Sequence, residues 1–258
     1  MTDLPPPPPP NMAPPPGYVA YGGGYTAPQG TLRPVGSLGM WLGWLIIGTL
    51  ISQALVVVVQ FTLRNSARDF LLTGNASAFD DKLGLFFGIG LIAGALAVAQ
   101  LVVLCVWTWR LAKNAQILGR QPQKFSPGAT IAINILGGCT LGILPFFMWR
   151  EVWRASDPDV APGDVRWKSG LVTTLIPVHL GLTIAAAIIT GISSASRTFG
   201  VSTGAGFNTG NRTDLAKSLD DKMALIGVGG ALSFSAAIVF LLIARQLTAR
   251  HMRATREA

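Results

Sequence analysis

Five long stretches of this chain, at about residues 38–63, 83–109, 129–148, 170–192 and 223–244, are apolar and contain no Asp, Glu, Lys or Arg. A soluble core has no use for repeated uninterrupted runs of this length. A bilayer does, because its hydrocarbon layer is about 30 Å thick and a helix rises about 1.5 Å per residue, so about 20 apolar residues cross it. Within lipid every backbone N–H and C=O must pair inside the chain, which makes these stretches helices. Only 12% of the residues are charged, roughly half the usual 25% of a soluble domain. The fold class is therefore all-α and membrane-embedded.

Four of the stretches read plainly as spans. The third, ATIAINILGGCTLGILPFFM, carries Gly137, Gly138, Gly142 and Pro145, residues that weaken or break a helix midway. Charge arbitrates between a span and a turn-back. Five spans divide the lysines and arginines 9 against 11 between the two faces, with no bias. If residues 129–148 enter and return on one side, the division becomes 13 against 7, and the richer face is the cytoplasmic one. The triplet Asp80-Asp81-Lys82 before the second stretch recurs as Asp220-Asp221-Lys222 before the last, and at that offset Arg110 matches Arg250. Two aspartates at a helix start complement its dipole. Parallel repeats need an even number of crossings between them. The expectation is two parallel transmembrane helical hairpins, 38–109 and 170–244, joined by a re-entrant or interfacial segment, with five spans as the alternative.

Around this core, at 37–248, residues 1–36 form a Pro/Gly-rich tail with Pro5 to Pro10 and Pro14 to Pro16. Such a composition cannot build a packed core and is expected to be disordered, with polyproline II character. It is a solvated leader or a strip on which a protein partner docks through Tyr18, Tyr21 and Tyr25. It lacks the layout of a cleaved secretory signal, so the first apolar stretch is read as a signal anchor. Residues 249–258 read as a basic tail. The net charge of +8 sits at the ends of apolar stretches, where it meets anionic lipid rather than nucleic acid. Cys105 and Cys139 lie in apolar stretches without CxxC spacing and read as small buried hydrophobes.

Between the two expected hairpins, Trp107 to Gln116 runs out of the membrane, and Trp149-Arg150-Glu151-Val152-Trp153-Arg154 follows the third stretch. Tryptophans four apart and arginines four apart share helix faces, and both residue types favour the headgroup level. Trp109, Arg110, Lys113, Asn114, Arg150, Glu151, Trp153 and Arg154 thus form a candidate lipid- or partner-binding face. As anchors alone they would serve the same positions.

The string WRLAKNAQILG, then FSPG, then a proline ahead of REVWRASDP, resembles the bacterial family known as domain of unknown function 4328, over roughly residues 85–245. In the third stretch the chain departs from that pattern, with Ala129 and Gly137-Gly138 where the family tends to carry aromatics. The resemblance implies a polytopic membrane protein and no known activity.

Inside the apolar stretches the polar residues are Gln53, Gln60, Gln100, Asn134 and His179. His179 is the best single candidate for an intramembrane polar site, although a lone histidine more often makes an interhelical hydrogen bond. No Asp or Glu lies within a stretch, which argues against proton coupling. HExxH and Walker motifs are missing, so no catalytic, cofactor or metal site is expected. The function expected is a non-enzymatic scaffold or sensor with both termini cytoplasmic in a bacterial plasma membrane, contacting lipid and able to form a homo-oligomer. The alternative is a small transporter or channel subunit whose broken third stretch lines a path.

Overall fold

The computed structural model describes residues 30–198 and 209–257. The expected proline-rich strip through residue 29 lies outside them. The described residues are helical, with no strand: α1 Gly36–Thr73, α2 Ser77–Ile117, α3 Pro127–Leu136, α4 Ile143–Ala155, a 3-10 turn Val165–Ser169, α5 Leu175–Thr198 and α6 Thr209–Thr255. Among them α1, α2 and residues Leu219–Thr255 of α6 are long and apolar enough to cross a membrane, while α3 and Leu175–Gly191 of α5 are shorter apolar helices. This is an all-helical protein with membrane-spanning helices.

α1 ends where Gly74 takes a left-handed φ of 75° and its N–H returns to the Phe70 carbonyl. The Asn75 side chain then accepts the Ser77 N–H, which starts α2 two residues later. Phe70 and Phe79 stack across this tight connection at 5.7 Å, so α1 and α2 run antiparallel. α6 runs antiparallel to α1: Gly39 abuts Thr248 and Gly230 abuts Val57, and Arg64 pairs with Asp220 at 2.7 Å. α5 packs along α6, with His179 opposite Ala236 and Gly229 against Ile189. α2 and α6 therefore point the same way.

The buried core is concentrated at the two ends. One cluster gathers Leu63, Phe70, Phe79, Leu83 and Leu219. The other gathers Leu42, Trp107, Trp149, Trp153, Ile243 and Leu247. Between them Leu91, Ile92, Val98 and Val102 of α2 are exposed, as expected of a helix face meeting lipid.

The third apolar stretch is two helices. Ser126 caps α3, its hydroxyl accepting the Ala129 N–H, and Pro127 occupies the first turn. At Leu136 the helix gives way to tight turns that end with Leu141 at φ 50° and Gly142 at φ 80°. Pro145 falls in the first turn of α4, where a missing N–H costs nothing. At the open ends, the Lys124 and Phe125 N–H groups both donate to Glu151 Oε1. α3 and α4 thus lie side by side, with their outer ends at one level of the bundle.

Two boundaries, both of α6, and the burial of one cysteine differ from the sequence reading. α6 starts at Thr209, so Asp220 sits inside the helix and does not open it; it pairs with Arg64 and Arg68. Asp80 is in the first turn of α2, as expected of a dipole-complementing residue. Residues 249–255, read as tail, are the last turns of α6. Cys139 is exposed on the turn between α3 and α4 and is not a buried hydrophobe.

Candidate functional site: a buried polar end and two linked cavities

Six of the eight residues of the expected binding face engage other parts of the chain, and Lys113 and Arg150 make contacts within their own helices. Asn114 is fully buried; its Oδ1 accepts the Arg33 N–H at 2.9 Å and its Nδ2 donates to the Arg33 carbonyl at 2.8 Å. Arg110 donates to the Pro34 carbonyl, and the Arg33 guanidinium lies over the Trp109 ring. These three hold the segment leading into α1. Glu151 caps the approach to α3, and Arg154 donates to the Gly170 carbonyl ahead of α5. Trp153 is buried beneath the Arg250 guanidinium. Lys113 reaches Gln116 and Arg150 lies over Phe146. Trp109, Arg110, Asn114, Glu151 and Arg154 fasten non-helical segments to helix ends.

The pivot of this end is His251, a residue placed in the tail on sequence grounds. It is fully buried, with Nδ1 2.9 Å from Ser156 Oγ and Nε2 3.1 Å from Asn114 Nδ2. The Asn114 amide can only donate through Nδ2, so Nε2 accepts and the proton resides on Nδ1. His251 lies beyond the uncharged stretch of α6 that ends at Ala244. Burial there pulls its pKa down to about 4. A signal was available: Ile243, Leu247, His251 and Thr255 recur at helical spacing, and all four are buried, so His251 continues an apolar face.

The five polar residues of the apolar stretches have a different fate. Gln53, Gln100, Asn134 and His179 line a cavity of about 570 Å³ where all six helices meet, bordered by the α3–α4 turn and by Trp149 and Phe240. Gln60, with Gln53, lines a second cavity of about 670 Å³ between α1 and α6. The two share Gln53, Thr190 and Ser233, so they adjoin one another along the bundle. Among the described residues no Asp, Glu, Lys or Arg lines either one.

Hydrogen bonding fixes what these side chains offer. The Thr108 hydroxyl has one hydrogen, directed to the backbone carbonyls of Leu104 and Cys105. It must accept from Asn134 Nδ2 at 2.7 Å, which leaves Asn134 Oδ1 and the second Nδ2 hydrogen outside that bond. His179 Nδ1 lies 3.1 Å from the Ala236 carbonyl. A carbonyl only accepts, so Nδ1 donates, and in the neutral ring Nε2 is an acceptor. Gln53 Oε1 is buried without a partner. Gln100 is tied to Thr49 at 2.9 Å. Phe240 and Trp149 pack edge to face at 5.6 Å and support the wall beside His179. Sequence reasoning found these residues singly and missed their convergence, because the break in the third stretch is what brings Asn134 opposite α5. Among the described residues no group of His, Cys, Asp and Glu could hold a metal ion.

Searches of curated proteins and of solved structures give no match. A family model described as "Domain of unknown function (DUF4328)" matches residues 68–249, more than two thirds of the chain. The matched stretch takes in α2 to α5, most of α6, and the cavity residues Gln100, Asn134 and His179. The chain belongs to the DUF4328 family.

Proposed function

We propose that this chain is a non-enzymatic multi-pass membrane protein that holds an uncharged ligand inside its helical bundle, as a small transporter or receptor does. The observation that carries the reading is the convergence of Gln53, Gln60, Gln100, Asn134 and His179 on two adjoining cavities. Polar side chains in a lipid-embedded segment are costly, and retaining five of them around open space favours use. A largely apolar cavity with a few convergent polar groups is the usual form of a small-molecule site.

In this reading α1–α2 and α5–α6 are two parallel transmembrane hairpins in a bacterial plasma membrane, and α3–α4 is a re-entrant pair between them. The bond from Lys124 to Glu151 supports re-entry, because it keeps the outer ends of α3 and α4 together. The Val35 N–H donates to Glu257 at 3.0 Å, which supports both tails lying on one side; the excess of basic residues makes that side cytoplasmic. A scaffold or sensor reading would have the proline-rich tail meet a protein partner and the basic face meet anionic lipid. It draws less support, because six of the eight side chains of that face are engaged with other parts of the chain.

A headless alkyl diazirine photolabel, applied to the purified protein in nanodiscs, tests the proposal. Labels should map to residues 137–149 and 176–187 as well as to lipid-facing α2. Gly138 lines the cavity, and a side chain added there meets open space, so Gly138→Leu should fill the chamber and remove only the inner labels. Labelling confined to the lipid-facing surface in the wild-type protein would refute it.

A further inference from the structure

We infer that the ligand of these cavities is a neutral amphiphile with a hydrogen-bond donor, such as a hydroxyl, at one end and a hydrocarbon body. This rests on the reading that the cavities hold a ligand and adds its chemistry.

Three features lead to it. First, among the described residues no charged side chain lines either cavity, and an ionised ligand would find no counter-charge from them in a low-dielectric interior. Second, spare acceptors stand beside spare amide N–H groups, and the buried atom among them without a partner is an acceptor. Asn134 Nδ2 gives one of its two N–H groups to Thr108, and Oδ1 takes no part in that bond. His179 offers Nε2 because Nδ1 is committed to Ala236. Gln53 Oε1 is buried with no partner. A buried acceptor left unpaired is destabilising, and a ligand that donates relieves it. Third, the remainder of the wall is hydrocarbon and aromatic, including Ile46, Leu104, Leu180 and Phe240. Acceptors beside an apolar wall fit a molecule with one donating end and an apolar body better than they fit a polyol or a plain alkane.

The test compares matched photoactivatable probes on the wild-type protein in nanodiscs: a long-chain alcohol bearing a diazirine, its methyl ether, and the carboxylic acid of the same length. The alcohol should label the residues around the α3–α4 turn and α5 about fivefold more than the ether, the worth of roughly one net hydrogen bond. The charged acid should label them least. Gln53→Leu and His179→Phe should each narrow the gap between alcohol and ether without removing the ether's labelling. If alcohol and ether label the cavity equally, the donor requirement is wrong, although the cavity remains a ligand site. If no probe labels it, the inference and the proposed function both fall. If the acid labels most strongly, the ligand is anionic and the inference is overturned.

Discussion

At the scale of single residues, the buried end of the bundle depends on neutral His251. Its pKa of about 4 lies below the ordinary value near 6.5, and the cause is burial. The unfolded chain therefore takes up a proton that the folded chain refuses, so stability is complete above about pH 6.5 and is lost as pH falls towards 4. At pH 5 the loss is roughly 2 kcal/mol. Thermal unfolding in detergent at pH 7.5 and pH 5 should show this drop in the wild-type protein and a flatter profile in His251→Asn; equal slopes would remove His251 as the cause. Glu151 behaves oppositely. Burial raises its pKa, while the N–H groups of Lys124 and Phe125 and the charges of Lys124 and Lys168 pull it back. At neutral pH the charge is thus a burden and the acceptor oxygen is the useful part. Glu151→Gln should unfold at the wild-type temperature or slightly above, and Glu151→Ala should unfold lower because two amides lose their acceptor. His251 also marks a limit of the sequence. One histidine among arginines reads as a tail until the spacing of Ile243, Leu247 and Thr255 is followed past the end of the apolar stretch.

At the scale of helices, the long ones were legible and the broken one was half legible. Uncharged runs announce α1, α2 and α6, because lipid leaves the backbone no alternative. Their ends were less visible: the helices continue into polar sequence wherever packing rewards them, as α6 does at Thr209 and Thr255. Gly137, Gly138, Gly142 and Pro145 signalled a break, but only the contact of Glu151 with the start of α3 tells which way the chain turns afterwards. Gly142, at φ 80°, holds a conformation that side chains resist. Gly142→Val should lower the unfolding temperature, by about 1 to 2 kcal/mol in stability, and disturb the cavity that the turn borders. The α1–α6 seam makes a sharper test. A Cβ at Gly39 would lie 2.5 Å from Thr248 Oγ1, so Gly39→Leu should cost about 1 to 3 kcal/mol through overpacking. The smaller partner Thr248→Ala should recover part of that loss in the double variant, measured by thermal unfolding; simple additivity would mean the two helices do not meet there.

Across the whole molecule, the arrangement of the third stretch decides what the cavities can do. If residues 129–148 crossed the bilayer, the turn would carry the chain onward and the outer end of α4 would reach the far surface. With both outer ends held at one level by Lys124 and Glu151, the turn instead lies at the depth of Gln100 and His179, where all six helices border the same space. The composition showed that the chain is membrane-embedded, and the charge counts favoured re-entry. Neither could show that Asn134, carried by one half of the broken stretch, would line the same cavity as His179 on α5, since that depends on how deep the turn reaches. Sidedness separates the two topologies cleanly. Single cysteines at Asn75, between α1 and α2, and at Asp159, between α4 and α5, should be placed in a chain whose Cys105 and Cys139 are replaced by serine or alanine. Labelled in intact cells with a membrane-impermeant maleimide, the Asn75 position should react and the Asp159 position should react only after lysis. The five-span arrangement puts both positions on the same side. Matching reactivity at the two sites would therefore overturn the re-entrant topology, and with it the placement of the α3–α4 turn within the bilayer.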